Sequence, residues 1–160
     1  MECLFEKTMI LTPDKSKTNV ELPFTVPNGY PALMFCTSYC PKSVNDPEKA
    51  KREIETALEK YIPEDWRSCY GGWEDYVPLV NLVTLSLDHN GHYIGCAHRH
   101  APIQKHIISA DFASPGFYRC SLTAGAWQAV INVHAVVSPQ VHYELKVYGL
   151  AEEEAARERV

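Results

Sequence analysis

Two stretches decide the reading of the fold: Val20-Glu21-Leu22-Pro23-Phe24-Thr25-Val26 and Val141-His142-Tyr143-Glu144-Leu145-Lys146-Val147-Tyr148. In both, apolar residues take every second position. Successive side chains of a strand point to opposite faces, so a period of two describes a strand with one buried and one wet face. Pro23 falls on the outward phase and cannot donate to a ladder, which assigns the first stretch to a sheet edge. Working outward, strand-like runs occur at Cys3–Leu11, Pro31–Tyr39, Val80–Asp88, His92–His98, Lys105–Ala110, Phe117–Leu122 and Trp127–Val137. Turn signals separate them. Asp88-His89-Asn90-Gly91 contains Asn-Gly, the pair that tolerates positive φ in a tight hairpin. Pro27-Asn28-Gly29, Ser114-Pro115-Gly116 and Thr123-Ala124-Gly125 are further breaks. Many short strands at this spacing predict an all-β, jelly-roll-like β-sandwich forming a single domain over 1–150.

One segment departs from the pattern. Asn45-Asp46-Pro47 opens a helix over about 46–61, with Asp46 as cap and Pro47 at the first helical position. Ala50, Ile54, Ala57, Leu58 and Tyr61 form one apolar stripe, and Pro63 closes the segment. The reading is an α-helical insertion packed on or beside the sheets. The stretch 151–160 is a polar C-terminal tail without an apolar stripe, in which Glu153 and Arg157 pair at i, i+4. That tail is expected to fray.

The chain has 160 residues, with 15 Lys and Arg against 20 Asp and Glu and a net charge of -5. A domain of this length buries roughly 70% of its unfolded surface and needs no staples. The basic residues are scattered, which argues against a nucleic-acid partner, whose phosphates demand a basic patch. The apolar runs are too short to span a bilayer, so no membrane is expected. The opening Met1-Glu2-Cys3-Leu4-Phe5-Glu6-Lys7 carries acids where a signal peptide needs basic and then apolar residues, which predicts a cytoplasmic protein. Cys3, Cys36, Cys40, Cys69, Cys96 and Cys120 form no C-x-x-C pair and read as buried free thiols.

The order of Leu79–Gly91, Ala113-Ser114-Pro115-Gly116-Phe117-Tyr118 and Gly125-Ala126-Trp127 is strand, turn, "A-[ST]-P-G-[FY]" and "G-x-W". It resembles the β-sandwich domain that precedes the catalytic domain of carbaryl-hydrolase-type PHP metallohydrolases and, more distantly, pre-peptidase C-terminal domains. The resemblance covers roughly Val20 to Gly149 and rests on turns and core aromatics. It implies a sandwich fold and a non-catalytic accessory or interaction domain acting beside a separate PHP-type hydrolase. That family's catalytic domain opens with an Asp-Leu-His-x-His stretch leading into Ser-Asp-Gly. The H-x-H here, His98-Arg99-His100, has no Ser-Asp-Gly after it.

Two clusters are candidate sites. On a strand, His98 and His100 would share one face, with His106 after the Ala101-Pro102 turn as a third ligand for a divalent metal. Asp88 or Asp111 would complete the set. The alternative is that these imidazoles lie on wet strand faces and loops. A degenerate cupin-like enzyme would use the same H-x-H, but Gln104 stands where a carboxylate is wanted. The second cluster, Trp66, Arg67, Tyr70, Trp73 and Tyr76 around Gly71-Gly72, suits a stacking surface for a carbohydrate or a partner peptide. Its alternative role is to pin the insertion to the core. No G-x-S-x-G elbow, Walker loop or dinucleotide fingerprint is present. No cofactor other than a divalent metal is expected. Exposed sandwich edges make a homodimer a further expectation.

Overall fold

The computed structural model describes residues 1–159. Among the described residues, eight strands form two antiparallel four-stranded sheets. They are β1 (Glu2–Leu11), β2 (Thr18–Val26), β3 (Ala32–Cys40), β4 (Leu82–His89), β5 (His92–Ala97), β6 (Ile103–Ser109), β7 (Gly125–Ala135) and β8 (Val141–Leu150). The first sheet has the order β1-β8-β3-β6 and the second β2-β7-β4-β5. Strands pair as 1 with 8, 2 with 7, 3 with 6 and 4 with 5. That is one long hairpin rolled up on itself, the jelly-roll arrangement. Its tip is the predicted Asn-Gly turn, with Asn90 at φ 50° and Gly91 at φ 79°. β2 is an edge strand, as Pro23 requires.

The core lies between the sheets. Trp127 is its largest fully buried side chain. Its indole stacks on His89 at 4.4 Å between centroids and meets Phe35 and Phe24 at 5.8 and 6.4 Å. Inward residues follow the alternation: Leu22, Phe24 and Val26 on β2, and Val141, Tyr143, Leu145 and Val147 on β8, are buried.

Two segments differ in secondary structure or order from their expectation. Phe117–Leu122 is not a strand. Tyr118 N–H donates to Ile94 O, on β5 of the second sheet, and Cys120 N–H to Ser109 O, on β6 of the first. A segment that stitches the edges of two sheets can join the ladder of neither. It presses on β5 through two glycines at positive φ: a Cβ on Gly95 would lie 2.3 Å from Gly116 O, and one on Gly116 2.4 Å from Cys96 O. The polar tail is also ordered over its described residues 151–159, as helix α2 (Glu152–Glu158), with Ala155 fully buried, and Val160 lies outside the described residues. It covers half of the outer face of the first sheet, where Ala155 packs with Ala32, Met34, Ile107 and Leu150. Arg159 clamps it through two 2.8 Å bonds to the Asp111 carboxylate and one of 3.0 Å to Ser109 Oγ, and Lys105 pairs with Glu158. This cover explains why Leu33-Met34-Phe35 is an unbroken apolar run: both faces of β3 are buried there.

The cysteines are free and none is fully buried. Cys3, Cys40 and Cys69 are exposed, and Cys36, Cys96 and Cys120 are half-buried. Their apolar neighbours misled, because strand parity turns Cys36, Cys40 and Cys96 outward.

Between β3 and β4 stands the insertion. Helix α1 (Pro47–Tyr61) starts where predicted, with the Asp46 carboxylate accepting from Lys49 N–H at 3.0 Å. The root of the insertion is held by Asn81, which is fully buried. Its Oδ1 accepts from Val137 and Ser138 N–H at 2.7 and 3.1 Å. Its Nδ2 donates to Pro41 O at 2.9 Å and to Ser138 Oγ at 2.7 Å. All four amide hydrogen-bonding positions are therefore used, which ties both ends of the insertion to the β7–β8 connection.

Candidate functional site

The histidines divide between the two sheets. β5 ends at Ala97, so His98 and His100 lie in the exposed loop that crosses to the first sheet. Their rings are 6.2 Å apart, and the third imidazole beside them is His134 of β7, 5.3 Å from His98. His134 is fixed by a 2.9 Å hydrogen bond between its Nε2 and the buried Thr84 hydroxyl. Burial and the neighbouring His98 and His100 hold the His134 imidazole below its usual pKa.

His106 is elsewhere. It opposes Phe35 on β6, so strand parity turns it into the core, where it is 1% exposed and lies 5.1 Å from the Phe117 ring. Its Nε2 meets Gln104 Oε1 at 3.0 Å, its Nδ1 has no partner among the described residues, and burial pushes its pKa down to about 4. The expected trio of His98, His100 and His106 is thus not brought together, because the chain changes sheet between the second and third members. Asp111, a suggested carboxylate ligand, is engaged by Arg159 and Ser109, which hold its pKa down at about 2. Among the described residues, no group of three or more His, Cys, Asp or Glu is arranged to hold a metal ion.

His89 is a further buried imidazole with polar partners. Its Nδ1 is 3.3 Å from Cys120 Sγ and its Nε2 3.1 Å from Asn90 Nδ2. Asn90 Oδ1 accepts from Ala126 N–H at 3.0 Å, which leaves the amide nitrogen to donate to His89. The His89 ring proton then sits on Nδ1, facing sulfur, so the imidazole cannot take the thiol's proton. Burial pushes the Cys120 thiol up. This is a satisfied structural pair rather than an activated nucleophile. Sequence gave no signal for it, since the two residues lie far apart along the chain.

The aromatic cluster occupies the insertion after α1, on two short 3₁₀ turns at Glu64–Cys69 and Trp73–Tyr76. Arg67 caps the helix: its guanidinium donates to Glu59 O at 3.1 Å and to Ile62 O at 3.3 Å. Trp73 is half-buried beneath the Lys51 ammonium, 5.8 Å from the ring centroid. Trp66, by contrast, is 61% exposed and pins nothing to the core. Tyr70 and Tyr76 are also exposed, joined by a bond from the Tyr76 hydroxyl to Tyr70 O.

Helix α1 packs mainly on the Trp73–Tyr76 turn, not on either sheet. Only the first half of its stripe, Ala50 and Ile54, is buried. Ala57 and Tyr61 are exposed and Leu58 is half-buried. Together with Ile54, Ile62 and Tyr76 they line an apolar groove of about 380 Å³. The Lys17 and Lys60 ammonium groups flank its Tyr61 ring at 5.7 and 5.1 Å. Among the described residues, five of the ten exposed large hydrophobic side chains, Tyr61, Trp66, Tyr70, Tyr76 and Val77, belong to this one insertion.

Compared with protein-family models, characterised proteins and solved structures, the chain matches none. No helix among the described residues is long and apolar enough to cross a membrane.

Proposed function

We propose that this chain is a non-catalytic interaction domain that docks a partner protein through the insertion between β3 and β4. The observation that carries the reading is the concentration of exposed aromatic and aliphatic side chains there, beside a helix whose apolar stripe is half uncovered. Aromatic anchors around an apolar groove supply most of the binding energy in protein interfaces. Lys17 and Lys60 at the rim favour a partner segment with acidic flanks. The turn motifs that resemble a PHP-associated sandwich nominate a separate PHP-type metallohydrolase as that partner.

The test is affinity capture from the native host with the unaltered chain and with a Leu58→Glu/Tyr61→Glu double variant. The expected result is a PHP-type hydrolase retained by the first and lost by the second. Equal capture by both chains overturns the docking surface. Hydrolase activity in the purified chain overturns the non-catalytic assignment.

A further inference from the structure

The outer face of the first sheet is divided. Helix α2 covers one half, and the other half is an open groove of about 700 Å³. That volume suits a small-molecule site. The groove crosses the strands along two rows of outward side chains. One row is Ile10, His142 and Cys40, on β1, β8 and β3. The next is Thr8, Glu144, Ser38 and Ile103, on β1, β8, β3 and β6. Neighbours in such rows stand about 5 Å apart, so each row presents an ordered line of functional groups.

We propose that this groove binds a neutral, hydroxyl-rich ligand, a short saccharide. The floor offers two hydroxyls, a carboxylate, an imidazole and a thiol, which together both donate and accept hydrogen bonds. The walls are apolar: Ile10 and Ile103 stand at either side, 52% and 77% exposed. A sugar ring has this dual character, with C–H faces and hydroxyl edges.

Charge argues for a neutral ligand. Lys146 pairs with Glu144 at 3.0 Å and with Glu6 at 3.3 Å, and Lys105 pairs with Glu158. An anionic ligand would compete with these carboxylates for the bordering ammonium groups, and a cationic one would meet a carboxylate already paired. A carboxylate held by one ammonium keeps acceptor capacity for hydroxyl donors. The site shares no residue with the insertion, so it stands or falls separately from the docking surface.

The experiment titrates the ¹⁵N-labelled full chain with cellohexaose, xylohexaose and mannohexaose. The expected result is that one of the three moves the amide signals of Thr8, Ser38, Cys40, His142 and Glu144 together. Glu144→Gln should weaken that binding about tenfold, the loss of one charge-assisted hydrogen bond. Lys146 keeps Glu6 in that variant, which protects the fold, and His142→Ala provides a second, independent weakening. Trp66→Ala should leave binding unchanged. No shift with any of the three sugars, shifts at Trp66–Tyr76 instead, or unaltered affinity in both groove variants overturns the proposal.

Discussion

The two helices contrast in how they are used. α1 is long, capped and amphipathic, yet half of its apolar stripe faces water. α2 has seven residues, three of them Glu in its first turn, and yet it seals half a sheet face. Amphipathicity records which side of a helix avoids water, not whether this chain supplies a cover for it. A single small residue such as Ala155 suffices when the sheet beneath is apolar and ion pairs hold the helix ends. The insertion is moored at its root, by Asn81, while α2 is moored along its length.

This contrast can be broken at the root first. Asn81→Ala should cost about 4 kcal/mol, because it leaves several buried backbone groups without partners. Urea unfolding measures the loss, and a cost below about 1 kcal/mol would show that the insertion is anchored elsewhere. Next, Leu150→Ala beneath α2 should cost about 3 kcal/mol, and Leu58→Ala on the open stripe less than about 1 kcal/mol. Equal costs would erase the difference between the two helices.

Acid sharpens the comparison, because the insertion contains no histidine. His106 has its folded pKa depressed to about 4, against about 6.5 in the unfolded chain. Its contribution is complete above pH 6.5 and is lost as pH falls from there toward 4, since the unfolded chain then binds the extra proton. The loss should reach about 3 kcal/mol at pH 4. His106→Leu should flatten that limb of a stability–pH curve, and an unchanged limb would assign the effect to another group. The smallest effect is local. Arg159→Ala should speed amide exchange across α2 with little change in midpoint. In the unaltered chain the Asp111 clamp should survive to about pH 3, because that carboxylate stays ionised until its depressed pKa near 2 is approached. Exchange in α2 that is insensitive to Arg159 would mean that Ala155 packing alone holds the helix.

Strand phases were legible, since a period of two survives any tertiary context that keeps one face dry. The hairpin tip was legible because Asn90 and Gly91 tolerate a backbone that most residues avoid. Phe117–Leu122 was misread because its alternation serves two sheet edges at once. The candidate metal trio was misread because spacing along the chain does not reveal a change of sheet: His106 entered the core and His134 came to stand beside His98. In the aromatic cluster, Arg67 stood among the candidate ligand-binding residues, but its hydrogen bonds go to the carbonyls of Glu59, in the last turn of α1, and of Ile62, its C-cap.

By itself, the sequence determined strands, turns, the capped helix and an all-β class, because these depend on local sterics and on periods of two and 3.6 residues. Tertiary structure alone decided the 1-8-3-6 and 2-7-4-5 strand orders, the mooring at Asn81, the cover provided by α2 and the open groove beside it. Those features arise from contacts between residues distant along the chain. Their strength depends on which groups are left unpaired or uncovered when the sheets close, and no local pattern carries that information.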